Sequence, residues 1–454
     1  MQNTNPNLIS SADATIFAWA TAAGRAGVAV LRISGAQAFA ALDYLGVAML
    51  PPARHATLVS LKHPLTGAVV DRCLALIFPA PHSFTGENVV ELHCHGSRAI
   101  MAQLTEILCS MPKARLAEAG EFSRRAFYNQ KMDLVEAEGL ADLIDAETTA
   151  QHIQALRQME GHIGAQYHDF RKRIIHALAL MEAYIDFPDE EIPDHVTREA
   201  RDEITALKAE IDTALDDHGV GEKIRDGLSV VIIGAPNAGK SSLLNALAKR
   251  DVAIVSDQAG TTRDLIDVHL TIDGYALTLT DTAGLRETVE SIEGEGIRRA
   301  TVRASQADLK IALFDIVSYP KLDSQTLALI DTSSCVALSK CDTHSVSDIA
   351  PIQGHKPLLL SAQTGQGIDQ LIEWMKSKIH SQMTGAHTPI ITRARHRVAL
   401  QLASESLGRF LTGSDLELMT EDLRMAAQSI AKITGQIHVD DVLDVVFSSF
   451  CIGK

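Results

Sequence analysis

The sequence LSVVIIGAPNAGKSS, residues 228–242, decides how the centre of this chain folds. It begins with a short apolar run rich in β-branched side chains, which is typical of a buried strand. The glycines, lysine and serine that follow match the full phosphate-loop spacing G-x-x-x-x-G-K-S/T. A chance glycine-rich turn is the alternative, but it would not explain why a strand precedes the loop and an apolar-periodic helix follows it at 242–249.

The residue types of this loop suit the binding of phosphate groups. Gly234 and Gly239 let the backbone approach closely enough for several N–H groups to face a phosphate. The helix that follows directs its positive N-terminal end at the same anion. We expect Lys240 to reach the β- and γ-phosphates and the Ser241 hydroxyl to bind Mg²⁺. The stretch therefore predicts a site for a nucleoside triphosphate.

Length and composition limit the class of protein. The 454 residues suggest about three domains, and 46% hydrophobic with 22% charged residues indicate a globular chain. The six cysteines form no C-x-x-C pair, and we find neither a secretion signal nor a membrane-spanning run, so we expect a cytoplasmic protein without a membrane partner. The net charge of −16 argues against a general nucleic-acid coat, so any RNA contact is expected to be local or supplied by a partner.

Two later motifs extend the phosphate site. The polar, glycine-broken segment 256–264 is expected to act as a switch, with Thr262 completing the Mg²⁺ shell while the γ-phosphate is present. A strand at 276–280 then leads to Asp281, which is placed to bind Mg²⁺ through water. Gly284 follows, and its N–H is placed to sense the γ-phosphate. This order is typical of a GTPase.

The base is predicted from the residues that follow a strand at 335–338. Asp342 can accept two hydrogen bonds from guanine N1 and N2, which adenine does not offer, so GTP is favoured over ATP. Lys340 is expected to lie along the base. Ser339 stands where Asn or Thr is usual, and Gln363 stands where Lys is common. The predicted GTP site comprises Asn237, Ala238, Gly239, Lys240, Ser241, Ser242, Ser256, Asp257, Gln258, Ala259, Gly260, Thr261, Thr262, Asp281, Thr282, Ala283, Gly284, Ser339, Lys340, Asp342, Ser361 and Ala362.

The first part of the chain alternates strands and turns. Strands are predicted at 28–33, 69–78 and 89–93. Arg32 interrupts the first of them, and from spacing alone an arginine that faces solvent is slightly favoured. His93 and His95 share one side of their strand while Cys94 points to the other, so a third ligand is lacking and no metal is expected there.

Helical patterns flank the nucleotide region on both sides. From about residue 133 the apolar side chains of Leu140, Leu143 and Ile144 lie on one helical face, and helical sequence resumes near residue 388. The simplest architecture packs the two helical parts together, and the nucleotide domain is an insertion between them.

Motifs along nearly the whole chain resemble the bacterial tRNA-modification GTPase family MnmE, also called TrmE. The GTPase motifs are shared by many families, but the C-terminal CIGK beside the N-terminal motifs is specific. The resemblance rests on GR at 24–25, LRISG at 31–35, FTGE at 84–87, GEF at 120–122, IDFP at 185–188 and FCIGK at 450–454.

The resemblance implies a multidomain fold that combines α/β and all-α parts. The expected parts are an N-terminal α+β folate-binding-type domain at 1–128, a discontinuous helical domain at 129–220 and 384–454, and an inserted Ras-like P-loop GTPase domain at 221–383. The N-terminal domain is expected to form a homodimer and to bind 5-formyltetrahydrofolate or a related one-carbon folate. The folate-binding positions are Arg32, Glu91, Lys131 and Lys454, which raises Arg32 above a solvent-facing role.

The resemblance also implies activation by K⁺. The expected K⁺ ligands are Asn237, Ser256, Gln258 and Thr261. No arginine finger is evident in the sequence, so the cation and dimerisation are expected to supply the charge of such a finger.

Two further residues are assigned by the resemblance, each with an alternative. Glu293 aligns with the glutamate that positions the attacking water, and Glu295 in the same acidic stretch is the alternative. Cys451 is either a catalytic thiol beside the one-carbon unit or a buried packing residue.

The family works with the FAD-containing protein MnmG (GidA), as a heterotetramer, on C5 of the wobble uridine U34 of certain tRNAs. We therefore expect a K⁺-activated GTPase that takes part in adding an aminomethyl or carboxymethylaminomethyl group from a folate one-carbon unit. The alternative is a ribosome-assembly GTPase that acts as an RNA-binding switch. Such proteins usually carry a basic RNA-binding module, whereas this C-terminus offers acidic helices, and co-purification of folate would distinguish the two.

Overall fold

The structure is a computed structural model that describes residues 14–22, 24–186, 195–250, 253–254, 267–281, 301–344, 349–383, 389–437, 440–448, 450 and 453. These residues fall into two compact units. The first unit contains Met1–Ala141, Met159–His168 and Ile430–Lys454, and the second contains Asp142–Gln158 and Asp169–Ser429. The predicted combination of sheet domains with all-helical parts is confirmed.

The helices of the described residues are numbered in chain order. They are α1 Ala38–Tyr44, α2 Arg98–Cys109, α3 Glu121–Tyr128, α4 Leu134–Asp145, α5 Thr149–Met159, α6 His162–Asp186, α7 His195–Leu215, α8 Val220–Asp226, α9 Lys240–Ala248, α10 Ser324–Leu327, α11 Ile368–Met383, α12 Ala394–Thr412, α13 Leu416–Thr434 and α14 Asp440–Ser448. A further helical segment lies at 301–306. None of the helices in the described part of the chain is long and apolar enough to cross a membrane.

The first unit is built on a six-stranded sheet. Its strands are β1 Thr15–Trp19, β2 Ala26–Ser34, β3 Thr57–Lys62, β4 Val69–Phe78, β5 Val89–Gly96 and β6 Ala114–Leu116, in the order β3-β4-β5-β2-β1-β6. Neighbouring strands are antiparallel except that β6 runs parallel to β1. Alternate residues such as Leu31, Ile33 and Leu92 are buried under α1 and α2, so the side chains between them lie on the other face.

The C-terminal segment of the chain belongs to this first unit. Phe447 of α14 packs with Phe127 of α3 and with Phe450, and these aromatic rings form part of one buried cluster. Gly453 is also buried here, and a Cβ built on it would lie 2.4 Å from the carbonyl oxygen of Trp19. Gly453 is therefore held against the end of β1.

The second unit contains a seven-stranded sheet. Its strands are β7 Leu228–Ile233, β8 Ala253–Ile254, β9 Asp267–Ile272, β10 Tyr275–Asp281, β11 Leu309–Asp315, β12 Ser334–Ser339 and β13 Leu358–Leu359. The order is β13-β12-β11-β7-β10-β9-β8, and the first five of these are parallel. The carboxyl ends of the parallel strands therefore meet at one edge, which is where ligands bind in open α/β sheets. The strand predicted before the phosphate loop and the strands predicted at 276–280 and 335–338 are confirmed.

Helices that come before and after the sheet in sequence pack together in the second unit. The Arg201 guanidinium of α7 donates to the carbonyl oxygens of Leu411 and Gly413 at the end of α12. The Ser404 hydroxyl of α12 donates to Asp212 of α7. These bonds join helical segments that lie on either side of the sheet domain in the sequence.

Candidate functional site

The phosphate loop joins β7 to α9 at the carboxyl edge of the sheet. A Cβ at Gly234 would lie 2.4 Å from the carbonyl oxygen of Leu313, so only glycine fits against the neighbouring strand. Asn237 and Gly239 have left-handed backbone angles, with φ of +66° and +94°. Residues in this region turn successive N–H groups inward, and such a concave backbone binds anions. The predicted loop–helix junction is confirmed, with α9 beginning at Lys240.

Lys240 lies over this loop. Its side chain is buried, and its ammonium donates to the carbonyl oxygens of Gly234 at 2.7 Å and Ala235 at 3.0 Å. The loop backbone therefore fixes the charge at the place where the helix N-terminus adds its own positive potential. A phosphate group bound here would meet N–H donors, a helix dipole and an ammonium together.

A cavity of about 230 Å³ lies beside the phosphate loop. It is lined by Gly239, Ser242, Leu243, Leu313, Ser339, Lys340, Asp342, Thr343, Leu360, Ala362 and Gln363. Three segments that are far apart in the sequence thus meet: the loop, the residues after β12 and the residues after β13. Of the residues predicted to contact the base, Ser339, Lys340, Asp342 and Ala362 line this cavity, and Gln363 lies in its wall.

Ser339 connects this cavity to the phosphate loop. Its buried hydroxyl lies 2.6 Å from the carbonyl oxygen of Ala238 and 3.1 Å from that of Phe314. From the sequence, Ser339 is only a departure from the usual Asn or Thr. In the structure its hydroxyl links the end of β12 to the phosphate loop and to β11.

Lys340 is held by Asp315 at the end of β11. Its ammonium lies 2.6 Å from the Asp315 carboxylate. Burial alone would raise the pKa of Asp315, but the Lys340 ammonium and the Val317 N–H outweigh it and keep that pKa below its usual range. Lys340 also has a left-handed φ of +59°. Its aliphatic stem is therefore fixed beside the cavity wall.

Several predicted site residues lie outside the described residues. Asp281 is the last residue of β10, and its backbone pairs with Ile232 of β7, immediately before the phosphate loop. The residues outside the described part are Ser256, Asp257, Gln258, Ala259, Gly260, Thr261, Thr262, Thr282, Ala283, Gly284, Glu293, Cys451 and Lys454.

A second cluster of predicted residues lies on the sheet of the first unit. The Arg32 guanidinium of β2 binds the Glu91 carboxylate at 2.9 Å, and the two residues are direct cross-strand partners. The same guanidinium lies 5.3 Å from the ring centre of Phe84 and 5.8 Å from that of Phe122. The interpretation of Arg32 as an arginine that only faces solvent is therefore wrong.

Lys131 lies next to the loop that carries Phe84. A Cβ at Gly86 would lie 3.4 Å from the Lys131 side chain, and the Asn129 amide donates to the Thr85 carbonyl oxygen at 2.7 Å. The loop thus brings Phe84 to Arg32 and Gly86 to Lys131, so these separate segments converge.

His93 belongs to this cluster, although the sequence interpretation did not assign it there. Its Nε2 atom lies 3.6 Å from the Glu91 carboxylate and is buried without a hydrogen-bond partner among the described residues. His95 instead binds Asp71 at 2.8 Å, and Cys94 is buried on the core face. The period-two alternation of β5, which puts Glu91 and His93 on one face, was the signal that would have found His93.

Comparison with known proteins gives consistent matches over most of the chain. A family model described as "GTP-binding protein TrmE N-terminus" matches residues 15–131, and one described as "MnmE helical domain" matches residues 134–451. The chain is 49% identical over 440 residues to the tRNA modification GTPase MnmE of Paramagnetospirillum magneticum, covering 97% of this chain and 99% of that protein. It is 49% identical over 447 residues to the protein of the same name from Parvibaculum lavamentivorans, covering 97% of this chain and 100% of the relative. The relative from Rhodospirillum rubrum is 47% identical over 452 residues, with coverage of 97% and 99%.

Proposed function

Because this chain belongs to the MnmE family of tRNA modification GTPases and hydrolyses GTP in tRNA modification, we propose that K⁺ activates its GTPase site and that its N-terminal sheet binds a one-carbon folate. The observation that carries the GTPase part is the single cavity that unites the phosphate loop with Asp342 and Lys340. Asp342 selects guanine by accepting from its N1 and N2 positions. Mg²⁺ is bound by Ser241 and Thr262, and by Asp281 through water.

Asn237 supports the proposal of a K⁺ site. Asn237 is an exposed residue of the phosphate loop, and its backbone is left-handed with a φ of +66°. An amide oxygen is a suitable ligand for a hard cation. With Ser256, Gln258 and Thr261 it would hold K⁺ where an arginine finger places its charge in other GTPases. Glu293 positions the attacking water in this proposal.

The pair of Arg32 and Glu91 supports folate binding. It offers one cation and one carboxylate on a sheet face where Phe84 and Phe122 present their rings, a combination that suits a flat, polar heterocycle. Lys131 and Lys454 complete the proposed folate-binding residues. Gly453, which precedes Lys454, lies against Trp19, and Trp19 follows the cross-strand partner of Arg32. Cys451 would then lie near the one-carbon unit of 5-formyltetrahydrofolate.

The proposed assembly is a homodimer that joins the FAD-containing protein MnmG (GidA) in a heterotetramer in the cytoplasm. The net charge of −16 supports the proposal that the partner binds most of the tRNA backbone, because phosphate contacts need clustered basic residues. Together the two proteins would modify C5 of U34.

Reconstitution tests the proposal. The purified chain, its FAD partner, GTP, Mg²⁺, K⁺, a one-carbon folate and unmodified tRNA are combined, and modified U34 is measured by mass spectrometry of nucleosides. We expect modification to stop when GTP or folate is omitted, and GTP turnover to fall when Na⁺ replaces K⁺. Unchanged modification without folate would overturn the folate part, and equal turnover in the two salts would overturn the K⁺ part.

A further inference from the structure

Helix α8 is the connector that leads into the phosphate-loop strand, and helix α5 holds it. The Gln154 amide donates to the carbonyl oxygen of Gly221 at 2.9 Å, and the Gln151 amide donates to that of Arg225 at 3.0 Å. The two glutamines are three residues apart and therefore lie on one face of α5. One helix face thus contacts both ends of the connector.

The N-terminal end of α5 contacts a second segment that leads to the nucleotide motifs. The Ala150 N–H donates to the carbonyl oxygen of Gly274 at 3.1 Å, in the turn between β9 and β10. Strand β10 runs from this turn to Asp281. On its other side the turn is held by His380 of α11, whose imidazole lies 2.6 Å from Asp273. Helix α5 therefore contacts the segments that precede two nucleotide-binding motifs.

The connector also crosses the chain segment that leaves the GTPase region. A Cβ at Gly221 would lie 2.2 Å from the carbonyl oxygen of Ile391, so the two backbones are in direct contact. The Arg397 guanidinium of α12 binds Glu222 and Asp217, both at 2.7 Å. The segment that enters the GTPase region and the segment that leaves it are thus in direct contact. Helix α5 contacts the entering segment through α8 and also contacts the β9–β10 turn.

A cavity of about 150 Å³ adjoins the contact between α5 and α8. Its wall includes Gln151, Gln154, Asp142 and Arg225, and the Gln154 amide oxygen is buried without a hydrogen-bond partner among the described residues. A close-packed contact allows one arrangement, whereas a polar cavity beside two amide side chains leaves room for a second. Elements with two discrete arrangements are what conformational coupling requires.

We infer that α5 couples the nucleotide-binding loops to the helical part of the second unit. The helix moves with the β9–β10 turn, while Gln151 and Gln154 exchange their bonds to α8 for positions in the cavity. Both glutamines are positioning residues, since they reach the nucleotide only through α8 and β7. The inference rests on GTP hydrolysis at the phosphate-loop site and is independent of the K⁺ and folate proposals.

Replacing both glutamines with methionine, Gln151→Met with Gln154→Met, tests the inference because it keeps side-chain size and removes the amide donors. His152→Ala is the matched control, since His152 lies on the same helix and is exposed. Hydrogen exchange of residues 142–158 is compared between the GDP-bound protein and the protein with a non-hydrolysable GTP analogue, and tRNA modification is measured with the FAD partner.

We expect wild type and the control to show a nucleotide-dependent difference in exchange, and the double variant to lose it. GTP affinity should stay within about twofold, and tRNA modification should fall at least about tenfold, because the loops remain intact but uncoupled. A double variant that keeps both the exchange difference and full modification would overturn the inference. If the wild type does not bind GTP, that result would instead contradict the GTPase assignment.

A disulfide provides a second test that does not depend on the stability of the methionine variant. A Cβ at Gly274 would lie 3.8 Å from the Cβ of Thr149, which matches the usual Cβ–Cβ separation across a disulfide of about 3.8 Å. In the oxidised Thr149→Cys, Gly274→Cys protein, α5 is fixed to the turn with which it is inferred to move. We expect the nucleotide-dependent exchange difference to persist in the oxidised double-cysteine protein. If the difference disappears in this protein but remains in the oxidised wild type, the inference would be overturned.

Discussion

At the scale of single residues, the nucleotide site depends on contacts that fix side chains before a ligand arrives. Ser339, in the wall of the cavity beside the phosphate loop, donates to the Ala238 carbonyl oxygen of that loop, and Asp315 holds Lys340. Preorganised groups lose little freedom on binding, so such contacts favour affinity. The motif spacing predicted residues that line this cavity, but not these supporting bonds, because the partners come from segments that are far apart in the sequence.

Asp342→Asn should weaken GTP binding by about 1.5–3 kcal/mol, the range for hydrogen bonds to a charged group. The amide accepts one bond and offers a donor that suits xanthine, so preference should move toward xanthosine nucleotides. Titration calorimetry with GTP and XTP measures both effects. Asp369→Asn, the same change on an exposed part of α11, is the control and should leave both affinities unaltered. Equal GTP affinity in the two variants would refute the role of Asp342.

Asn237→Ala should remove most of the difference between GTP turnover in K⁺ and in Na⁺. The amide oxygen is proposed to bind the cation that supplies positive charge to the transition state. Asn245→Ala is the control, because Asn245 is an exposed asparagine of the neighbouring helix α9. Steady-state phosphate release in the two salts is the measurement. An unchanged ratio of the two rates in Asn237→Ala would show that this residue does not hold the cation.

At the scale of elements, local signals predicted strands and loops well and helix faces less well. Residues 228–233 form β7 as expected, because a β-branched apolar run before a glycine loop is a strong local signal. Leu140, Leu143 and Ile144 are predicted to share one helical face, and the structure leaves Ile144 37% exposed. Helix α4 instead buries Leu134 and Ala137 against Leu443 and Phe447 of α14. A partner that comes some 300 residues later in the chain leaves no trace in local periodicity.

Gly120 joins α3 to α14, and replacing it tests that contact. Gly120→Ala should destabilise the first unit, since its φ is +65° and a Cβ would lie 2.3 Å from the Phe447 carbonyl oxygen. Gly67→Ala is a matched control with a φ of +68° and open space around it, so it should cost only the strain of about 1–2 kcal/mol. We expect Gly120→Ala to cost about 1–3 kcal/mol more because of overpacking. Urea unfolding gives both values, and equal losses would contradict the close α3–α14 contact.

Glu121 anchors the start of α3, and its contribution should depend on pH. Burial would raise the pKa of its carboxyl, but Arg115, the Glu118 N–H and Arg125 outweigh burial and hold the pKa below its usual range. Since the folded pKa lies below the unfolded value, the stabilisation is present above the unfolded pKa and is lost as pH falls through the folded pKa.

Glu121→Gln should therefore lower the free energy of unfolding by about 1.5–3 kcal/mol at pH 7, and by progressively less as the pH falls below about 4.3. Unfolding by urea from pH 7 to pH 3 measures the difference. Glu118→Gln, on an exposed neighbour, should have a small effect throughout. A loss that is the same at every pH would mean that the charge of Glu121 is not what stabilises α3.

At the scale of the whole molecule, the two compact units carry different parts of the proposed function. The predicted GTP-binding residues that the structure describes lie in the second unit, and Arg32, Glu91 and Lys131, which are predicted to bind folate, lie in the first. The sequence pattern placed the C-terminal helices with the rest of the helical region, whereas the segment Ile430–Lys454 clusters with the N-terminal sheet. Variants of the first unit should therefore impair modification without impairing GTP turnover.

Cys451→Ser tests this separation of tRNA modification from GTP turnover. Phe450 and Gly453, on either side of Cys451, are buried in the first unit, where the folate site is proposed. A thiol close to the one-carbon unit acts as a nucleophile or an acid, and a hydroxyl replaces it poorly in both roles because its pKa is far higher. GTP hydrolysis should be unchanged and U34 modification in a deletion strain should be abolished, as measured by nucleoside mass spectrometry. Cys109→Ser, an exposed cysteine of α2, should restore full modification in the same strain. If Cys451→Ser also restores it, the residue only packs, and the chemistry at C5 must draw on other groups.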